Sequence, residues 1–249
     1  MFMHPDTQVR RIQQKQKSAE LQDTIKSMKD IQEWMSDLRL KEWGQRLFFV
    51  GRFSQDCLNE NAIAQDIIET LELDTNPYTS VDIVIKSFCE KLQQIGVSIF
   101  KDSTVMSNQE RELSPFEFSV FSLYDEYAPL VFINTAASLE RQFYGLIYET
   151  VSIWLGEDHV FGVSDNDLFY ICIAEKILLF LFPYGWDKKA ELVLGQDKSY
   201  NSHARSIDRY FLQSLYASIR EGTISYTGAY RLVNAWGDNF ENLVAQTLS

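Results

Sequence analysis

The chain has 249 residues, with 35 acidic against 23 basic side chains and a formal net charge of −12. Hydrophobic residues make up 45% and aromatics 14%, too much for a disordered chain, while only 11 Gly and 5 Pro exclude collagen-like or linker-rich architectures. The length fits one large domain or two small ones, and the acidity argues against a broad phosphate-binding surface, because Lys and Arg carry nucleic-acid affinity.

The start, Met1 to Arg11, has no apolar h-region, so no signal peptide is expected. Residues 1–19 hold four basic side chains (Arg10, Arg11, Lys15 and Lys17) against Asp6, which makes the start +3 and the rest of the chain −15. This short basic arm has three candidate contacts: nucleic acid, an acidic partner, or its own acidic body. As a solvated, partly frayed terminus it has none. Leu21, Ile25, Met28, Ile31, Met35 and Leu38 then recur at steps of three and four, one apolar stripe of a helix. That stripe is expected to be exposed and to serve as a docking surface.

Leu47 to Val50, closed by Gly51, reads as a strand and turn. Residues 61–73 read as an amphipathic helix ended by Asn76-Pro77, and Ser80 as the N-cap of a helix through Gln94, with Gly96 past its end. Three strands follow: Val97–Phe100, Phe116–Leu123 and Leu130–Ile133. From Leu139 the pattern is helical, over 139–155, 167–182, 204–220, 226–235 and 239–247. The fold class is therefore α+β, a small central mixed or antiparallel sheet with helices before and after it.

The most apolar stretch, Phe169 to Phe182, contains Glu175 and Lys176 and is shorter than the ~20 apolar residues of a membrane span. It is expected to be a core helix of a soluble protein. Cys57, Cys89 and Cys172 are odd in number and never form a C-x-x-C pair, which points to a reduced, cytoplasmic protein with neither a disulfide framework nor a Cys-based zinc site. The chain has no G-x-S-x-G, P-loop or G-x-G-x-x-G, and no Cys–His pairing at a recognisable spacing. The aromatic runs Phe116–Phe121 and Phe180–Trp186 lack interleaved basic residues and read as core rather than as stacking platforms.

Within Lys86–Pro183, the pieces CEKLQQIGVSIF, ELSPFEFSVFSLYDEYAPLVFIN, RQFYGLIYETVSIWLG and CIAEKILLFLFP occur in an order that resembles the ImmA/IrrE family of zinc metallopeptidases. EWMSDLRLKEWGQRLFFVGRF and the C-terminal helices are also similar to longer members, so the likeness spans roughly residues 30–247, without a preceding helix-turn-helix. The resemblance implies a zincin-like motif helix in the core. It also implies three parts: a polar helical arm over 1–46, a peptidase-like core over 47–186, and a C-terminal helical segment over 187–249.

The family's motif is H-E-x-x-H, because positions i and i+4 share a helix face and place two imidazoles on one zinc ion, with the Glu as general base. Here it reads Tyr148-Glu149-Thr150-Val151-Ser152, and the third-ligand position, counted back from Pro183, falls on Tyr170. Only the general-base position, Glu149, keeps its residue. Three neutral hydroxyls are weak zinc ligands, so the resemblance implies a pseudopeptidase with no metal or other cofactor. Glu149 then reads either as a buried structural carboxyl or as the floor of a cleft that binds a peptide without cutting it. A relocated metal site from Glu149, Asp158 and His159 would need the chain to double back, since ten residues span about 15 Å of helix. His4 and His203 read as surface residues.

The function expected on this basis is binding and control of another protein, such as a phage-type repressor or a toxin. A basic partner suits the acidity, while direct nucleic-acid binding and membrane association are not expected. The alternative is a zinc-dependent endopeptidase with unorthodox ligands that cleaves a cytoplasmic regulator.

Overall fold

A computed structural model describes residues 17–42, 44–53, 59–75, 80–157, 167–183 and 205–248. Among these are eight helices and five strands, with helices at both ends, an α+β fold. The first helix, α1, is Ala19–Glu42. It is followed by α2 (Glu60–Thr70) and α3 (Val81–Gln94), then β1 (Ser98–Asp102). Next come β2 (Thr104–Val105), β3 (Asn108–Glu112), β4 (Val120–Leu123) and β5 (Leu130–Asn134). Helices α4 (Leu139–Leu155), α5 (Asp167–Leu181), α6 (Arg209–Arg220), α7 (Tyr226–Val233) and α8 (Asp238–Leu248) complete the order.

The central sheet has the order β1-β5-β4 and is mixed. β1 runs parallel to β5, with Ser98 opposite Leu130 and Phe100 opposite Phe132, while β4 runs antiparallel to it, with Val120 opposite Ile133. Alternate side chains enter two separate cores, as the two-residue period of a strand requires. Ile99, Val120, Val131 and Ile133 pack with α2–α5; Phe100, Phe121, Leu130 and Phe132 pack with α1, α6, α7 and α8. The sheet is thus the middle of three layers, buried on both faces, which explains its near-continuous apolar strands.

The second core overturns one expectation. Leu21, Ile25, Met28, Ile31 and Met35 of α1 are buried rather than exposed, and Trp34 meets Phe211 of α6 edge-on at 5.7 Å. The stripe is real, but the C-terminal helices already cover it, so it is no docking face. Polar anchors fix α1 as well: the Gln32 amide donates to the carbonyls of Leu123 (2.9 Å) and Ala128 (3.1 Å). The Arg39 guanidinium donates to Gly96 (2.7 Å) and Tyr127 (2.8 Å) carbonyls, and burial pushes its pKa below the ordinary value.

Two strand expectations are also corrected. Leu47–Val50 forms a turn rather than a strand, and it caps α4: Gly51 N–H donates to the Ile153 carbonyl (3.0 Å) and Phe53 N–H to that of Trp154 (3.2 Å). Carbonyls at a helix C-terminus lack intrahelical donors, and this loop supplies them. The Phe116–Leu123 strand shrinks to Val120–Leu123, because the Ser114–Glu117 turn leaves Phe116 76% exposed while Phe118 and Phe121 enter the core. The β2–β3 hairpin, by contrast, was not expected from the sequence. Its turn places Met106 (φ 50°) and Ser107 (φ 63°) in the left-handed region, where Asn-Gly is the usual signal.

Candidate functional site

Helix α4 is the innermost helix, with every residue from Gln142 to Leu155 buried. It lies against β4 with a glycine at the contact. A Cβ on Gly145 would stand 2.9 Å from Val120 Cγ2 and 3.0 Å from Ser119 Oγ. A mid-helix glycine costs about 1 kcal/mol relative to alanine, and here the return is close approach of helix to strand. One turn further, on the same face, Glu149 reaches the same strand. Its Oε2 accepts the Ser122 hydroxyl at 2.7 Å and the Ser122 backbone N–H at 3.2 Å.

That second bond matters because β4 is an edge of the sheet. An edge strand presents backbone groups that no strand pairs, and buried ones need another partner. Glu149 supplies it here. The opposite edge is closed in the same way: Asp208 Oδ2 accepts Ile99 N–H of β1 at 3.1 Å, and Ser206 exchanges two 2.9 Å backbone bonds with Lys101. Asp208 also caps α6, its Oδ1 accepting Phe211 N–H at 2.8 Å.

The three positions that the family resemblance assigns to zinc ligands lie at the α4–α5 contact. Tyr148 and Ser152 are one turn apart on α4, and the Tyr148 ring stacks on that of Tyr170 from α5 with centroids 5.5 Å apart. All three residues are buried. The Ser152 hydroxyl donates back to the Tyr148 carbonyl (3.3 Å), and the Tyr170 hydroxyl donates to Glu157 Oε2. Burial, followed by that bond and the nearby Glu157 carboxylate, pushes the Tyr170 phenol far above its ordinary pKa of 10.0. These donors do not fit zinc, which takes thiolate, imidazole or carboxylate. A phenol held neutral and donating to a carboxylate presents no anionic oxygen, and a serine hydroxyl bonded to its own helix is committed elsewhere.

Glu157 follows Gly156, the left-handed C-cap of α4 (φ 71°). The cap turns the chain sharply enough for Glu157 to face α5. Gly156 also touches the capping loop so closely that a Cβ there would lie 2.9 Å from Gly51 Cα. The loop is tied to α2 as well, since Asp66 accepts both Trp154 Nε1 (2.9 Å) and Arg52 Nη1 (2.7 Å).

Among the other candidates, Lys17 is half-buried at the entry to α1, where its carbonyl accepts the Gln22 amide (2.7 Å). Arg10, Arg11, Lys15, His4, Asp158, His159 and His203 lie outside the described residues. Among the described residues no group of His, Cys, Asp and Glu is arranged to hold a metal, and no helix is long and apolar enough to cross a membrane. The positions expected from the sequence, Glu149, Tyr148, Ser152 and Tyr170, are buried on α4 and α5; sequence reasoning missed Ser122 as the partner of Glu149, Glu157 as that of Tyr170, and Gly145 as the contact with β4. The lone glycine inside a helical pattern was the available signal. No family model, curated protein or solved structure matches the chain.

Proposed function

We propose that this chain is a degenerate ImmA/IrrE-like domain that acts by binding and controlling another protein, such as a phage-type repressor or a toxin, and not by hydrolysis. The observation that carries this reading is the engagement of Glu149. Its Oε2 holds two donors from the β4 edge, so the one residue retained from the family motif serves as a structural cap. A general base must instead reach the proton it abstracts. At the three ligand positions the Ser152 and Tyr170 hydroxyls are engaged in local hydrogen bonds, and the Tyr148 ring stacks on that of Tyr170.

A net charge of −12 favours a basic partner, through steering and complementarity. Cys89 is buried with its thiol pKa pushed up by desolvation, and neither it nor Cys172 is in a disulfide. The odd cysteine count with no C-x-x-C pair suits a reducing, cytoplasmic setting. The test is metal content. After soaking with zinc, manganese or iron and desalting, the purified chain should retain no stoichiometric ion, and a chelator should leave its folding unchanged. A retained ion that disappears in Glu149→Gln would instead revive the endopeptidase with unorthodox ligands and call for peptide-cleavage assays.

A further inference from the structure

The C-terminal helices carry a feature that neither the sheet nor the α4–α5 site uses. Phe240 of α8 is fully buried, and the ring of Tyr230 on α7 packs against it at 5.2 Å. Tyr230 in turn meets Tyr226 at 5.9 Å and Trp236 at 5.6 Å, with the rings inclined at 57° and 64°. Tyr226 and Trp236 end this chain of rings at the surface, 54% and 52% exposed. The aromatic series therefore runs from the core outward and is held from beneath.

The backbone turns Trp236 outward by construction. Asn234 (φ 50°) and Gly237 (φ 54°) are both left-handed, and Ala235 N–H donates to the Tyr230 carbonyl at 3.2 Å. Ala235 is thereby turned inward and Trp236 outward. Asn239 N–H then donates to the Trp236 carbonyl (3.2 Å), and Phe240 N–H to that of Gly237 (2.9 Å). Half-exposed Trp and Tyr on a rigid support are the residue types that dominate binding interfaces, because little freedom is lost when they are covered.

We propose that Tyr226, Tyr230 and Trp236 form a docking surface for an arginine-bearing segment of a basic partner protein. Charge selects this occupant. From Tyr226 to Leu248 the chain has Asp238 and Glu241 against a single basic side chain, Arg231, on a molecule of net charge −12. A guanidinium stacks on Trp or Tyr faces and simultaneously pairs with carboxylates, which a neutral ligand cannot do. The proposal rests on the protein-binding reading only for the partner's identity as a protein; the surface stands or falls separately.

The test titrates an octa-arginine peptide into the full chain carrying 15N-labelled indoles. The Trp236 indole resonance is expected to shift, and Trp236→Ala and Tyr226→Ala each to weaken binding by about two- to fivefold, the worth of one exposed cation–π contact. Both residues are half-exposed, and a melting curve for each variant confirms folding. Unchanged affinity in both folded variants overturns the proposal. So does a neutral proline-rich peptide that shifts Trp236 at lower concentration than octa-arginine. Either failure leaves the metal-content test of the regulatory reading untouched.

Discussion

Replacing Glu149 separates a structural carboxyl from a catalytic one, because the two roles move stability in opposite directions. Glu149→Ala strips the acceptor from the Ser122 N–H and O–H, both inside a site where Glu149 is 2% and Ser122 1% exposed. A buried donor left without a partner costs about 1–3 kcal/mol, so the pair loses about 2–6 kcal/mol before any cavity is counted. That is a large share of the ~5–15 kcal/mol that holds an ordinary domain together. Glu149→Gln keeps an acceptor but buries a new NH2 group and should cost about 1–3 kcal/mol. Ser122→Ala retains the backbone N–H bond and should cost about 1 kcal/mol, the worth of one hydroxyl bond. Urea denaturation of the two single variants and the Ser122→Ala/Glu149→Gln double variant gives the coupling, expected near 1 kcal/mol. An active-site carboxylate with no structural duty would give no coupling and an unchanged or raised stability, and that result would refute the argument.

Three further outcomes follow from local geometry. Tyr170→Phe should cost about 1–2 kcal/mol at neutral pH, through loss of the bond to Glu157. Because the folded phenol titrates above the unfolded value of 10.0, the native state holds a proton that the unfolded state releases, and stability falls as pH rises past that value. The loss approaches about 1.4 kcal/mol per pH unit, so Tyr170→Phe should show a shallower alkaline decline in melting temperature; an identical decline would count against the raised pKa. Gly156→Ala forces a left-handed alanine whose Cβ lies 2.9 Å from Gly51 Cα, and a loss of about 2 kcal/mol or more is expected by chemical denaturation. The Ser98 and Thr135 hydroxyls are buried with no hydrogen-bond partner among the described residues, so Ser98→Ala and Thr135→Val should be neutral or stabilising by up to about 1 kcal/mol. Clear destabilisation in the same assay would show that those hydroxyls have partners after all.

What the sequence disclosed depended on how local the deciding interaction was. The helices over 139–155 and 226–235 were legible because their apolar spacing and caps lie within the segment, and Leu139–Leu155 and Tyr226–Val233 form as expected. The α1 stripe was equally legible as a stripe, but its covering by α6 and α7 comes from residues nearly 200 positions away. Met106 and Ser107 hid the β2–β3 hairpin, since neither residue favours the positive φ that its turn imposes. At the candidate site Glu149 was singled out only through the family resemblance, since both histidine positions of the motif hold other residues. Its partner Ser122 lies 27 residues earlier on a strand, and only the approach permitted by Gly145 brings the two together.

The central claim is that α4 and α5 still present a zincin-like arrangement from which the ligands have been lost. The most direct measurement restores them, by reading zinc content and affinity in the triple variant Tyr148→His/Ser152→His/Tyr170→Glu. The stacked Tyr148 and Tyr170 rings, 5.5 Å apart, already place two of the three positions side by side. The account predicts one tightly held zinc ion per chain, none in the parent protein, and a melting temperature of the variant that rises with added zinc. A variant that folds as the parent does and yet binds no zinc would contradict it.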